Sequence, residues 1–189
     1  MDGEYSPTMD EAAGLTPATA PSLEASLVVA ARDGDRSAFG RLYDRFAPMV
    51  HGLLLARVPR AEVDDLVQDV FLQAMRRLDA LRNPEAFGPW LAAIARNRVR
   101  DHYRHTEPVA ELPENLTGAI HPEGEALHVL AAIRRLPESY RETLMLRLVE
   151  GMTGPEIAER TGLTPGSVRV NLHRGMQMLR GALGRSERT

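Results

Sequence analysis

Apolar residues recur at three- and four-residue spacing through most of the chain and nowhere alternate over a useful length, so the pattern predicts helices and no sheet. From Leu23 a first helical segment runs to the break at Asp33-Gly34-Asp35, and a second from about Ser37 to Leu55, stopping before Val58-Pro59. The third is cleaner: Val63, Leu66, Val67, Val70, Phe71, Ala74, Met75 and Leu78 trace one buried face. Asn83-Pro84-Glu85 opens the fourth, with a capping side chain, a proline suited to the first turn and an acid that complements the dipole. That helix continues to about Arg104. Four helices with short connections predict a small bundle over residues 23–105. Residues 106–124, TEPVAELPENLTGAIHPEG, hold three prolines and no sustained period, as a solvated linker does. Helical pattern returns over about 125–135, restarts at Pro137 and stops at Glu150-Gly151, where glycine suits the helix end.

The segment PEIAERTGLTPGSVRVNLHR, from Pro155 to Arg174, has helical flanks around a cluster that a continuous helix would not tolerate. Thr153-Gly154-Pro155-Glu156 fits a capping box, and the short helix behind it turns Ile157 and Ala158 inward. Gly162 can take the left-handed conformation that a tight turn needs, Leu163 plugs the corner, and Thr164-Pro165 starts a second helix. Val168, Leu172, Met176 and Leu179 give that helix an apolar stripe, while Ser167, Arg169, Val170, Asn171, His173, Arg174 and Gln177 are read as its outward face. Two helices meeting at such a turn make a helix-turn-helix, and arginine and asparagine are suited to guanine and adenine edges in a major groove. A plain helical hairpin with a solvated arginine face is the blander alternative. The fold class expected is all-α: two small helical domains, an N-terminal bundle and a C-terminal helix-turn-helix domain over 125–185, joined by a flexible linker.

Composition narrows this further. With 43% hydrophobic and 26% charged residues the chain reads as an ordinary soluble protein, and the absence of cysteine excludes disulfides and thiolate metal sites. SLVVAA is too short for a signal core or a membrane span, so no membrane partner and a cytoplasmic location are expected. The net charge of −3 hides a pattern. Residues 1–30 hold five acids and no base, and residues 107–125 again five acids and no base. Between and after them, 31–106 hold thirteen arginines against ten acids, and 126–189 ten arginines against six acids. Two mildly basic modules are thus preceded and separated by acidic segments, the first of which, 1–22, reads as a disordered tail.

On the fourth helix Arg96, Arg100 and Arg104 fall four residues apart with Tyr103 beside them, which suits either a nucleic-acid backbone with base stacking or a solvated charged face. Arg98 lies nearer the apolar side, where pairing with a carboxylate is expected. The preceding helix is opposite in sign: Asp64, Asp65, Gln68 and Asp69 crowd its N-terminal half, either to complement the dipole or to meet a protein partner. There is no phosphate-binding glycine loop and no nucleophile context. His102 and His105 lack neighbouring ligands for a metal. No enzymatic activity and no cofactor are expected.

DDLVQDVFLQAMRRLDAL followed by FGPWLAAIARNRVRDHYRH resembles region 2 of the extracytoplasmic-function sigma factors of the sigma-70 family, and LPESYRETLMLRLVEGMTGPEIAERTGLTPGSVRVNLHRGMQMLR resembles their region 4. The likeness covers roughly residues 24–183, in the right order and with an intervening linker. It implies a factor that binds core RNA polymerase and directs initiation at promoters. By that resemblance Asp64, Asp65, Gln68, Asp69 and Phe71 would dock on the clamp helices of the β′ subunit. Arg82, Asn83, Glu85, Asn97, Arg100 and Arg104 would handle the minus-10 element and strand separation. Ser167, Arg169, Val170, Asn171, His173 and Arg174 would read the minus-35 element, with region 4 also meeting the β flap. The linker would thread near the polymerase active-site channel. An anti-sigma protein, encoded elsewhere, is a common partner in the family. The family often has Thr-Val-Lys/Arg-Ser-Arg-Leu where this chain has Ser167-Val168-Arg169-Val170-Asn171-Leu172, so its minus-35 preference is expected to be unusual. The competing reading is a stand-alone helix-turn-helix regulator, which leaves the first bundle and its acidic face without a task.

Overall fold

The structure, a computed structural model, describes residues 21–105 and 122–186. Almost all of the expected acidic tail and linker therefore lie outside the described residues. Two boundaries move. Ser22, expected in the tail, caps the first helix by accepting from Ala25 N–H at 3.1 Å, and Pro122–Gly124, expected in the linker, already belong to a helix.

Among the described residues every regular element is helical. The first module holds α1 (Leu23–Arg32), α2 (Arg36–Leu55), α3 (Arg60–Arg76) and α4 (Phe87–His105), with 3-10 turns at Leu78–Ala80 and Pro84–Ala86. Asp35 caps α2 by accepting from Ser37 and Ala38 N–H, and Asn83 caps the turn before α4 by accepting from Glu85 N–H. Helices α1, α3 and α4 pack around α2, which buries Leu42, Phe46, Met49, Val50, Leu53 and Leu54 almost completely. The α3 stripe is buried from Val63 to Ala74, but two of its expected members differ. Met75 is half exposed, because the helix ends at Arg76 and the chain turns away. Leu78 is buried from the following 3-10 turn.

The second module holds α5 (Pro122–Arg134), α6 (Glu138–Leu148), α7 (Gly154–Thr161) and α8 (Pro165–Ser186). Gly151, at φ 67°, closes the end of α6, and the Met152 N–H reaches back to the Leu146 carbonyl at 3.0 Å. Thr153 and Glu156 form the expected capping box at α7. Gly162 stands at φ 76°, ψ 13° as the left-handed end of α7, a conformation that costs any other residue strain. Helix α8 packs on α5, α6 and α7, with Val168 and Leu179 buried and Leu172 and Met176 half-buried along the expected stripe. Its approach to α6 depends on Gly175, where a Cβ would come within 3.0 Å of the Leu144 side chain.

The two modules are in contact. Helix α6 lies on α2 and helix α7 on α4, and the buried apolar residues of both form one continuous cluster.

Candidate nucleic-acid and polymerase interfaces

The end of α8 that leaves the helix-turn-helix corner is built by Thr164, whose hydroxyl accepts from Ser167 N–H at 3.1 Å and lies 2.8 Å from the Ser167 hydroxyl. Pro165 then follows at the first position. On the first two turns Arg169, Val170, His173 and Arg174 are exposed, and Ser167 is exposed with its hydroxyl engaged in the cap. Of these, Arg169, His173 and Arg174 give the face cationic and hydrogen-bonding groups, with the apolar Val170 among them. Asn171 does not join them. It is half-buried, and its amide donates to the Thr143 hydroxyl of α6 at 3.4 Å. One turn from buried Val168 and beside buried Gly175, position 171 lies on the edge that α6 covers.

The acidic helix divides in a similar way. Asp64, Asp65 and Gln68 are exposed on α3, whereas Asp69 is half-buried and paired with Arg98 at 2.5 Å. Arg98 thus finds the carboxylate partner expected of it. Phe71, expected at the docking face, is 3% exposed and wedged against Tyr43 at 4.6 Å and Phe39 at 6.4 Å between ring centres. It belongs to the core and supports the acidic face from behind. Leu72 and Met75, both half exposed, stand on the outer surface of α3 instead. Met75 fitted the buried stripe in the sequence, so nothing marked it as a surface residue, and Leu72 lies off that stripe.

At the front of α4, Arg82 and Asn83 are exposed in the turn that precedes it. Glu85 is also exposed, and its carboxylate accepts from the Ser22 N–H at 2.9 Å and the Ser22 hydroxyl at 2.6 Å. Those bonds hold its carboxyl below the usual carboxylate range. Along α4, Arg100 donates to Asn97 and Arg104 pairs with Asp101, each on an exposed surface. Arg96, the first residue of the basic stripe, has a different fate: it donates through Nε and Nη2 to Glu142 Oε1 of α6 at 2.9 and 2.7 Å.

Glu142 is the centre of a charge cluster between the modules. Its other oxygen meets Arg57 at 3.1 Å, and Arg57 also meets Glu138 at 2.5 Å. Burial penalises the Arg57 cation, but the facing carboxylates of Glu142 and Glu138 outweigh that and hold it charged. Arg134 donates to the carbonyls of Leu55 at 3.0 Å and Val58 at 2.7 Å, closing the end of α2 from the other module. Nothing in local sequence could show these pairs, since their members lie 46 to 85 residues apart. His102 is 2.7 Å from Glu62, and among the described residues no group of three His, Asp or Glu side chains is arranged to hold a metal ion.

Comparison with known proteins agrees with this division. Residues 42–108 match the sequence family described as sigma-70 region 2, and residues 127–179 match sigma-70, region 4. The chain is 37% identical over 166 residues to the RNA polymerase sigma factor CarQ of Myxococcus xanthus, covering 82% of this chain and 95% of that protein. It is 31% identical over 173 residues to the ECF RNA polymerase sigma-E factor of Haemophilus influenzae, covering 82% and 92%. Among solved structures, CnrH in complex with the cytosolic domain of CnrY aligns with a TM-score of 0.63 at 27% identity, covering 86% of this chain and 98% of that one.

Proposed function

The chain belongs to the extracytoplasmic-function sigma factors of the sigma-70 family, and on that premise we propose which of its residues meet polymerase and which meet the promoter. It is a promoter-recognising factor of RNA polymerase, with core polymerase and promoter DNA as its partners. The family is one of non-catalytic initiation factors: bond formation belongs to polymerase. No helix among the described residues is long and apolar enough to cross a membrane. The compartment proposed for it is the cytoplasm, where polymerase works. An anti-sigma protein is a third proposed partner, in keeping with the CnrH–CnrY complex.

Region 2 spans 23–105 and region 4 spans 125–185 in this reading, with 106–124 as the link. The observation that carries the promoter assignment is the exposed set Arg169, Val170, His173 and Arg174 at the capped start of α8, the end of a recognition helix that enters a major groove. Arg169 and His173 share one side and reach bases, while Arg174, on the adjoining edge, contacts phosphate. Ser167, its hydroxyl engaged with Thr164, completes the cap from which these side chains project toward the minus-35 element. At the other end, Arg82, Asn83, Asn97, Arg100 and Arg104 serve the minus-10 element, with Glu85 fixing the loop through Ser22. Asp64, Asp65 and Gln68 dock on the β′ clamp helices, with Asp69 locked to Arg98 at the edge of that patch, and region 4 meets the β flap.

The test is co-elution of the full chain with core polymerase, together with Asp64→Arg, Asp65→Arg. The wild type is expected to co-elute and the double variant to lose association while keeping its helical circular dichroism, since both side chains are exposed. A wild-type chain that ignores core polymerase but binds promoter DNA tightly would favour the stand-alone regulator.

A further inference from the structure

On the first two turns of α8, the side chain that faces most directly away from the core belongs to neither an arginine nor the histidine. At about 100° per residue, Val170 lies roughly 200° round the helix from buried Val168, and buried Gly175 and Leu179 stay within about 20° of Val168. His173 stands at roughly 140°, Arg169 at roughly 100° and Arg174 at roughly 240° on the same wheel. The two groups assigned to bases therefore flank Val170 on one side, and the phosphate-facing arginine flanks it on the other. Val170 is 44% exposed, with all three of those neighbours exposed around it. A single exposed valine is ordinary on a protein surface, and only its place gives it meaning. β-Branched residues are also modest helix formers, so α8 gains nothing locally from a valine here.

The preceding turn leaves that valine bare. Side chains of a helix lean toward its N-terminus, so the Val170 methyl groups lie over Gly166, four residues earlier. Gly166 is exposed, and a Cβ there would meet nothing closer than the Thr164 hydroxyl at 3.9 Å. Its φ is not positive either, so neither close packing within the chain nor a left-handed backbone calls for glycine. What the missing side chain gives is access. A surface can approach the Val170 methyls, and the backbone beneath them, from the end of the helix that enters a groove. The two residues make a smooth apolar strip down the middle of a face whose margins are cationic.

We propose that Val170 reads a thymine through its C5-methyl group at one base pair of the minus-35 element, between the pairs that Arg169 and His173 engage and the phosphate held by Arg174. This rests on the promoter assignment above. The major-groove edges of the base pairs carry donors, acceptors and one apolar feature, the thymine methyl. A valine pressed on a donor or acceptor takes it from water and offers no bond in return, which burial penalises. Pressed on the methyl, it removes two apolar groups from water at once. Selectivity thus comes as much from rejecting the other edges as from attracting the methyl. The cationic neighbours hold the duplex whatever its sequence, and Val170 contributes discrimination.

Replacing thymine by deoxyuridine removes the methyl and leaves every hydrogen-bonding group of the base in place, so it isolates the contact. The full chain with core polymerase first selects its preferred minus-35 sequence from a randomised library. Each thymine of that sequence, on either strand, is then replaced singly by deoxyuridine, and binding of the holoenzyme is titrated. One replacement is expected to weaken binding about fourfold, the worth of burying roughly one methyl-sized group, and the others to change little. With Val170→Ser the same replacement is expected to have no effect and the selected sequence to lose its thymine there, whereas Val170→Ile keeps both. Since Val170 is exposed, the serine variant is expected to keep its helical circular dichroism; if it does not, Val170→Ala, the better helix former, takes its place with the same outcomes expected. The proposal is overturned by a selected sequence without thymine, by wild-type binding indifferent to deoxyuridine at every thymine, or by sensitivity that survives in the variant. It is overturned equally if the variant loses core polymerase while its base preference stands, because the side chain would then face protein. A wild-type holoenzyme with no preference anywhere in the element would instead remove the promoter assignment itself, and the methyl contact with it.

Discussion

Glu142 holds two arginines on one carboxylate, one oxygen serving Arg57 in the turn after α2 and the other Arg96 of α4. Glu142→Gln halves the charge balance around Arg57 but leaves it Glu138. The expected loss is about 2–3 kcal/mol, below the ~3–5 kcal/mol of a wholly orphaned buried charge, read as a lower urea midpoint. On α8 the outcomes divide by residue. Arg174→Ala is expected to weaken all promoters alike and to flatten the salt dependence of promoter binding by about one charge. Asn171→Ala is expected to leave base preference unchanged across a randomised minus-35 library and to cost about 1 kcal/mol of stability, the usual worth of one internal hydrogen bond. A changed preference at a single base pair would return Asn171 to the readout set. Position 171 shows where residue-level inference stops. Its place on the helical wheel is an edge, and only the position of α6 decides whether that edge is wet.

At the scale of elements, Gly175 and His51 make contrasting cases. Gly175→Ala gains about 1 kcal/mol of helix propensity but must displace the Leu144 side chain and ease the Tyr140 Cβ at 3.3 Å, so the two effects are expected to offset. Gly175→Val overfills the α6–α8 contact and is expected to destabilise the second module by about 1–3 kcal/mol in thermal unfolding, weakening minus-35 recognition with it. His51 joins α2 to the end of α6 through Glu150 at 2.6 Å. The hydrogen bond to Glu150 raises its pKa above the ordinary histidine value; burial opposes this, Asp64 adds to it, and Arg60 subtracts. Asp44 lines the same cleft. Because the packed-state value is raised, the stabilisation is fully present below the open-chain value of about 6.5 and is lost as pH rises through the packed-state value. The radius of the free chain is therefore expected to grow from pH 6 to pH 8.5, and His51→Gln to flatten that profile. Equal profiles for both proteins would exclude the pair as a contributor. The helices themselves were legible in the sequence, with caps at Asn83, Thr153 and Gly162 where the pattern put them. Met75 was harder, because periodicity gives a face its centre but not its margin. Phe71 followed its apolar spacing into the core, and only the docking role implied by the resemblance had set it on the surface.

For the molecule as a whole, charge and packing point the same way. The acidic segments 1–30 and 107–125 oppose phosphate, and Glu142 occupies Arg96 of the α4 stripe. Free protein is expected to bind promoter DNA poorly at physiological salt and the holoenzyme to bind well, as an electrophoretic titration of each would show. Two domains in the right order could be read from the sequence because each carries its own apolar period. Their contact could not, because an interface made from Arg57, Arg96, Glu142 and two glycines leaves no periodic trace. Separate windows of sequence show solvated charge where the folded chain has a buried network.

The two interfacial glycines leave a mark that can be sought in the descent of these proteins. At Gly52 a Cβ would stand 2.8 Å from Leu146 and 2.9 Å from Glu150 of the second module, and at Gly88 3.0 Å from the Arg160 carbonyl of α7 and 3.1 Å from the Phe46 ring of its own module. A lineage that gives up the packed form is thus free to acquire alanine or larger residues at position 52, and gains helix stability by doing so, while Phe46 still limits position 88. A lineage that keeps it must change both sides together, so that growth at position 52 is answered by shrinkage at 146 or 150. Paired substitution between these positions, set against independent drift elsewhere on the same helices, would date the habit of folding back on itself.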